Sequence, residues 1–388
     1  MTEPHFSTSA VAAHPGWWRM LFRDHWAGLR NRLLGNSRFQ QWSSRFPLTR
    51  PIARARAQAL FDLCSGFVYS QVLYACVQCR LFDSLRNGPR NLNELASTLE
   101  LESDKAAILL EAAVSLELLE DCGEQRFGLG PLGAVTLDNA GIQSIIRHHA
   151  IFYDDLRDPL ALLRGESGPT QLANYWPYGH SQAAAGLQNS EVSAYSELMA
   201  DSHSLVAEEV LGSYSMQAHH TLLDIGGGLG AFTLAVGTRW PHLQLGLFDL
   251  PAVAAQAKVR LATTPLAPRF TAHGGNFFTD DLPQGADIIS LIRILHDHAD
   301  ADVLTLLRSI RRCLPDHGTL LLAEPMAGEK STDKMARAYF GLYLLAMGKG
   351  RPRTPDEIRV FLQQAGFTKV RLLSNARPIQ TRIILANP

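Results

Sequence analysis

LLDIGGGLGAF, Leu222–Phe232, is the stretch that decides the fold. An apolar run that contains an acidic residue, Asp224, passes directly into three alternate glycines, Gly226, Gly228 and Gly230. A strand that enters a glycine loop and then a helix is the usual place for a nucleotide-like ligand in an open α/β sheet. The stretch therefore predicts such a sheet, with a small molecule bound at this loop.

The spacing of the loop narrows the choice of ligand. A P-loop needs a Lys-Ser/Thr pair after its last glycine, whereas Ala231 and Phe232 follow here, and the dinucleotide spacing G-x-G-x-x-G is not kept. The Asp224 carboxylate suits a ligand with an ammonium group. Asp249 ends the next predicted strand, where an acid accepts hydrogen bonds from ribose hydroxyls. We expect S-adenosylmethionine, which offers both groups, bound by Asp224, Asp249 and the loop residues Gly226 and Gly228.

Strands and helices alternate from about residue 213 to the C-terminus. Seven short apolar runs are predicted to be strands: HHTLLDIG, LQLGLFDL, RFTAHGG, ADIISLIRIL, GTLLLAEP, KVRLLS and TRIILAN. This alternation predicts a Rossmann-like methyltransferase domain over residues 213–388, built on a mostly parallel seven-stranded sheet.

Residues 57–150 predict a separate helical domain. Two helices with N-caps at Asn91 and Ser103 precede a glycine-rich hairpin, which together form a winged-helix pattern. The segment has six basic and twelve acidic residues, so it is a poor ligand for DNA phosphates. We expect it to dimerise and to bind no nucleic acid. Residues 151–212 form a helical linker that contributes to an acceptor pocket.

Residues 1–56, which we call the basic arm, have a net positive charge, whereas the rest of the chain has a net negative charge. The first 60 residues have nine arginines and two acidic residues, in a chain of net charge −1. Apolar residues recur at helical spacing: Trp18, Phe22, Trp26, Leu29 and Leu33. Arg19, Arg23 and Arg30 share another face, a pattern typical of helices that lie on a membrane. Packing against the protein or a second subunit is the alternative.

Composition limits the remaining possibilities. No apolar run approaches about 20 residues, so we expect no membrane-spanning helix. The five scattered cysteines suggest a reducing cytoplasm, and the C-x-x-C of Cys76 and Cys79 lies in a predicted helix, where packing residues are expected. We expect no metal site.

The motifs resemble those of the plant-type class I S-adenosylmethionine-dependent O-methyltransferases, in this order: LLDIGGGLG, FDLP, GGNFF, ILHDHAD, LLLAEPMAG and QQAGF. The resemblance begins near residue 57, because that family has a winged-helix dimerisation domain in front. Residues 30–73 are similar, more narrowly, to the bacterial hydroxyneurosporene (demethylspheroidene) O-methyltransferases of carotenoid synthesis.

This resemblance implies catalytic roles. His296 is the base that takes the acceptor's hydroxyl proton, and Glu324 orients it and stabilises its protonated form. Asp297 is a third catalytic candidate whose role stays open between capping a helix and organising the loop. Many family members have a second glutamate before an Arg-Thr pair, where this chain has Pro352. We therefore expect Glu324 to act alone.

The resemblance also extends the binding sites. Leu250, Asn276, Phe277 and Arg293 join the cofactor site, with Asn276 in the place of an aspartate that accepts from the adenine amino group. An apolar acceptor pocket is expected from Phe152, Tyr153, Tyr175, Trp176, Tyr195 and Met199.

The function that follows is a homodimeric O-methyltransferase acting on a hydrophobic hydroxylated molecule. The narrower resemblance implies a 1-hydroxy carotenoid as acceptor, and the basic arm adds peripheral contact with the inner membrane surface. A tetrapyrrole or an aromatic polyketide is the alternative acceptor. A winged-helix regulator that senses the cofactor is the alternative from another class.

Overall fold

A computed structural model describes residues 17–175, 206–328, 334–375 and 381–388. Their contacts divide the chain into two units, Met1–Val72 and Leu73–Pro388. Each unit is described by itself.

The first unit is helical. It contains α1 (Trp17–Gly35), α2 (Ser37–Arg45) and most of α3 (Arg50–Gln78). The Asn36 side chain accepts hydrogen bonds from the first amides of α2 and so ends one helix and begins the next. The helix predicted in the basic arm is confirmed as α1.

Helix α3 corrects one expectation. Its 29 residues include an 18-residue window with a mean hydropathy of 1.4, so by length and composition it could cross a membrane. A single helix that meets this criterion is weak support for a span, because helices of soluble proteins also meet it. Several of its large apolar side chains are exposed in the single chain: Leu60, Phe61, Leu63, Phe67 and Val68.

The second unit begins with a winged-helix domain. Its sheet has the order β1-β3-β2 with antiparallel pairs. The elements are α4 (Leu81–Ser84), β1 (Arg90–Asn91), α5 (Leu92–Thr98), α6 (Ser103–Ser115), β2 (Leu119–Asp121), β3 (Arg126–Leu129) and α7 (Pro131–Leu137). Asn91 caps α5 in a capping box with Glu94, as predicted. The predicted cap at Ser103 is wrong by one residue, because Ser103 is the first residue of α6 and Glu102 precedes it.

The large sheet has the order β6-β5-β4-β7-β8-β10-β9, and β10 runs antiparallel to both neighbours. Its strands are β4 (Thr221–Ile225), β5 (Gln244–Asp249), β6 (Phe270–Gly274), β7 (Ile288–Ile292), β8 (Thr319–Glu324), β9 (Lys369–Leu372) and β10 (Arg382–Asn387). All seven predicted strands and the mostly parallel sheet are confirmed. Because β4, β5, β7 and β8 are parallel, their carboxyl ends meet at one edge.

Helices flank this sheet or lead into it. They are α8 (Ala140–Asp155), α9 (Pro159–Arg164), α10 (Gln171–Tyr175), helical residues 206–213, α11 (Ala231–Arg239), α12 (Pro251–Ala262), α13 (Asp300–Cys313), the π-helical turn Lys334–Tyr339, α14 (Phe340–Met347) and α15 (Pro355–Gln364). Buried residues of α13 and α15 pack against one side of the sheet. Those of α11 and residues 206–213 pack against the other.

Candidate active site

The glycine loop between β4 and α11 needs its glycines. Gly226, Gly228 and Gly230 have φ of +68°, +56° and +77°, a region that L side chains disfavour. A Cβ at Gly226 would also overlap the side chain of Ile294, whereas the space around Gly228 is open. The loop therefore offers backbone and free volume at the carboxyl end of β4, which suits a bound cofactor.

Asp249 ties this loop to the end of β5. Its two carboxylate oxygens accept from the backbone N–H of Gly228 at 2.8 Å and of Leu250 at 2.7 Å. Burial raises the pKa of Asp249 to about 6. Each oxygen keeps a second lone pair, so the predicted hydrogen bonds to ribose hydroxyls fit this carboxylate.

Asp224 has other contacts than the sequence predicted. It is 1% exposed, and its oxygens accept from Thr233 Oγ1 at 2.9 Å and Ser290 Oγ at 2.7 Å. Burial raises its pKa to about 6. The carboxylate points between α11 and β7, so it holds the loop from inside and does not present itself to an ammonium group.

Asn276 and Phe277 lie just after β6. The Asn276 Oδ1 accepts from the backbone N–H of Phe278 at 3.0 Å, which leaves one lone pair for an adenine amino group. The ring of Phe277 lies 5.6 Å from that of His298, edge to face. This arrangement is compatible with the predicted adenine contact.

Arg293 follows β7 with a φ of +60°, and its backbone N–H donates to the Ala323 carbonyl at 2.8 Å. The pKa of His148 is lowered to about 4, mainly by burial and also by the charges of His149 and Arg293. The Arg293 charge therefore lies within electrostatic range of His148 on α8. Its place in the cofactor pocket stays a prediction.

His296 lies in a short 3₁₀ turn, Leu295–Asp297, between β7 and α13. Its Nδ1 is 2.7 Å from Glu324 Oε2, and its Nε2 is 3.1 Å from Asp297 Oδ1. His296 is 6% exposed and Glu324 only 2%. The two predicted residues are therefore in contact, with the imidazole between two carboxylates. Their roles as base and orienting acid stay predictions.

Glu324 also fixes the turn itself. Its Oε1 accepts from the backbone N–H of Ile294 at 2.9 Å and of Leu295 at 2.7 Å. Asp297 does not cap a helix, since Ala299 precedes the first turn of α13. Burial raises the pKa of Asp297. Asp297 places a second carboxylate beside the histidine, at Nε2, whereas Glu324 contacts Nδ1. That Glu324 alone orients His296 stays a prediction.

Arg353 was missed by the sequence analysis. Its guanidinium is 2% exposed and donates to the carbonyls of Leu295 at 2.6 Å and His298 at 2.7 Å. It also bonds Asp300 Oδ1 at 2.6 Å. The side chain thus clamps both ends of the turn that carries His296.

The loop before Arg353 contacts the same turn. The backbone N–H of Arg351 donates to the His296 carbonyl at 2.9 Å. Gly350, with a φ of +85°, lies so close to that carbonyl that a Cβ would overlap it. The signal in the sequence was the segment GKGRPRT, in which glycine and proline stand beside two arginines.

Two histidine–tyrosine pairs form a wall beside the turn. His148 Nε2 is 2.8 Å from the Tyr343 hydroxyl, and His149 Nε2 is 2.8 Å from that of Tyr339. Phe152 packs edge to face on both tyrosines, with ring centroids 5.3 and 5.9 Å away. The sequence predicted only Phe152 of these five.

This aromatic wall reaches the candidate base. The ring of Phe340 is 6.0 Å from that of His296 and 5.1 Å from that of Tyr339. Tyr153 packs on His149 at 6.1 Å, so it lies in the predicted region. The side chains of four other predicted pocket residues lie outside the described part of the chain: Tyr175, Trp176, Tyr195 and Met199.

Two family models match the chain. The O-methyltransferase domain covers residues 153–368, and the O-methyltransferase dimerisation domain covers residues 61–139. The chain belongs to the O-methyltransferase family. It is an S-adenosylmethionine-dependent O-methyltransferase, and the dimerisation domain supports a homodimer. The alternative of a winged-helix regulator is excluded.

Two bacterial relatives are similar over most of the chain. The demethylspheroidene O-methyltransferase of Cereibacter sphaeroides is 41% identical over 92% of this chain and 93% of its own length. That of Rhodobacter capsulatus is 38% identical over 92% of this chain and 88% of its own length. Human N-acetylserotonin methyltransferase, solved in complex with S-adenosylmethionine, shares the fold with a TM-score of 0.67 at 24% identity, and covers 86% of this chain and 97% of its own.

Proposed function

We propose that this enzyme methylates the hydroxyl of a hydrophobic acceptor, a 1-hydroxy carotenoid, with His296 as the general base. One observation supports this reaction: Glu324 holds the His296 imidazole at the edge of the sheet where the glycine loop also lies. The acceptor is supported by the two demethylspheroidene O-methyltransferases that are similar over the chain's length.

The cofactor site is assigned from the geometry of the loop. S-adenosylmethionine supplies an electrophilic methyl group when bound. The open space at Gly228 and the accepting oxygens of Asp249 and Asn276 would hold it. Asp224 acts from behind by fixing the loop through Thr233 and Ser290.

His296 removes the acceptor's proton through Nε2. Nδ1–H donates to Glu324, so Nε2 is the atom that accepts the proton once the acceptor hydroxyl has displaced Asp297 Oδ1 from it. Glu324 then stabilises the imidazolium. A tertiary alcohol is far less acidic than imidazolium, so its proton leaves as the methyl group is transferred. Positioning supplies much of the rate, with effective molarities of roughly 10⁵–10⁸ M.

The aromatic wall suits an apolar substrate. Burial lowers the pKa of both His148 and His149, the former to about 4, so both imidazoles are neutral near pH 7. Their Nε2 atoms contact the hydroxyls of Tyr343 and Tyr339, so each of these polar atoms is paired within the wall. A carotenoid dissolves in lipid, so we also propose that the enzyme works in the cytoplasm against the inner membrane surface.

The test is methyl transfer from labelled S-adenosylmethionine to detergent-dispersed acceptors. The panel contains a 1-hydroxy carotenoid, the same carotenoid already methoxylated, a phenol, a tetrapyrrole and an aromatic polyketide. We expect label only in the methoxy product of the hydroxy carotenoid. Label in the tetrapyrrole or polyketide alone would keep the base and the cofactor site but would refute the carotenoid acceptor.

A further inference from the structure

The described arginines of the basic arm form no ion pairs with described carboxylates. Seven of its arginines have described side chains, and all seven are exposed: Arg30, Arg32, Arg38, Arg45, Arg50, Arg54 and Arg56. Among the described side chains of residues 24–60, none of these arginines forms an ion pair with a carboxylate, and Asp24 is the single acidic residue. Seven like charges at this density repel each other, so binding to an anionic partner would reduce this repulsion.

Large apolar side chains lie between these arginines. The exposed ones are Trp26, Leu29, Leu33, Leu34, Trp42, Phe46, Leu48 and Ile52, with exposed fractions of 39% to 78%. On α2 the rings of Trp42 and Phe46 stack at 5.0 Å. Arg38 and Arg45 lie beside them along one open groove. The partner must therefore accept apolar side chains and cations on the same surface.

A second copy of the chain does not fit this surface. A two-fold interface would bring the same arginines of both copies together, with one acidic residue per copy to offset them. The dimerisation family model also begins only at residue 61, after the basic arm. Nucleic acid would neutralise the arginines, but exposed aliphatic side chains such as Leu29, Leu48 and Ile52 have no stacking partner there.

We propose that the basic arm docks the enzyme on a bilayer with anionic headgroups. The arginines neutralise phosphates, and Trp42, Phe46 and the exposed aliphatic residues enter the boundary between headgroups and acyl chains. This inference deepens the proposed function by naming the headgroup chemistry and the docking residues. Its test measures binding to lipid without any acceptor, so it fails or succeeds separately from the carotenoid proposal.

The test is co-sedimentation of the full-length enzyme with vesicles of phosphatidylcholine, alone and mixed with phosphatidylglycerol. Each arginine near an anionic surface contributes about 1 kcal/mol, or about fivefold in affinity. The double variant Arg38→Gln/Arg45→Gln should therefore bind the mixed vesicles roughly 30-fold more weakly. Arg38→Lys/Arg45→Lys keeps the charge and should bind as the wild type does. Arg308→Gln/Arg312→Gln removes two exposed arginines of α13 as a matched control, and should also leave binding unchanged.

Further outcomes of this experiment decide the proposal. High salt should release the enzyme from the mixed vesicles, because salt screens exposed charges.

Equal binding to neutral vesicles, or no binding to anionic vesicles at low salt, would overturn the proposal. Bound enzyme that resists salt but dissolves in detergent would instead identify α3 as a membrane span. Tighter binding to duplex DNA than to the anionic vesicles at the same salt concentration would identify nucleic acid as the partner. Unchanged circular dichroism of each variant shows that it is folded.

Discussion

In the segment Leu295–His298 three backbone carbonyls and the His296 imidazole have polar partners within the protein. Arg353 and the Arg351 amide bond three of its carbonyls, and the His296 imidazole lies between two carboxylates. In the basic arm seven described arginines are exposed and paired with no described carboxylate. The first region is already organised for chemistry. The second presents exposed charges, which we propose an anionic bilayer neutralises.

Removing the candidate base should have the largest effect on activity. His296→Ala should lower the rate of methyl transfer by about 10²- to 10⁴-fold, the usual contribution of a general base. Binding of S-adenosylmethionine, measured by calorimetry, should persist because the loop is untouched. Full activity in this variant would refute the assignment of the base.

A substitution of Arg353 tests whether catalysis requires this side chain to hold the turn that carries His296. Lysine cannot reproduce the forked contacts of a guanidinium, and a displacement of about 1 Å can cost about 10²-fold in rate. Arg353→Lys should lower kcat by roughly 10- to 100-fold, with KM for the cofactor nearly unchanged.

The control for this variant is Arg359→Lys, which changes an exposed arginine of α15. Guanidinium ion should partly restore kcat to Arg353→Ala, since it can occupy the vacated site. A loss of folding stability with no change in kcat would show that Arg353 is structural only.

Asp249 and Asp224 offer a matched pair at the cofactor loop. Asp249→Asn should weaken cofactor binding about tenfold or more, because charged hydrogen bonds contribute about 1.5–3 kcal/mol each. Asp224→Asn should change it by less than about threefold, since its oxygens bond Thr233 and Ser290. The opposite order of affinities would restore the direct ammonium contact that the sequence predicted.

The smallest effect concerns stability. Burial raises the pKa of Asp224 from 3.8 to about 6 in the folded state, so folding favours the protonated carboxyl. Its contribution to the free energy of unfolding is therefore present below pH 4 and is lost as the pH rises through 6. Chemical denaturation at pH 4 and pH 7 should show a smaller loss of stability in Asp224→Asn than in the wild type. An equal loss in both proteins would contradict the raised pKa.

Features of the fold and the site that depend on a local sequence pattern could be predicted from the sequence. Apolar strands and glycine spacing placed Asp249, His296 and Glu324 at one edge of the sheet, because parallel strands end together. The pairing of His296 with Glu324 followed from that edge and from the resemblance to known enzymes.

The sequence did not reveal contacts that depend on the direction of a side chain or on a partner far away in the sequence. The inward orientation of Asp224 rests on Ser290, 66 residues away, and the clamp of Arg353 on Leu295 spans 58 residues. His148 and Tyr343 are 195 residues apart. No periodicity within one segment reports such contacts. The exposed apolar surface of α3 was missed because its arginines and Asp62 interrupt the apolar run.

The most direct measurement of the central claim is a double-mutant cycle on His296 and Glu324. Single-turnover methyl transfer is followed in His296→Ala, Glu324→Ala and the double variant, each saturated with cofactor. If the two residues act as one base, the double variant loses no more activity than the worse single variant. Losses that multiply in the double variant would show that the two residues contribute independently and would contradict the account.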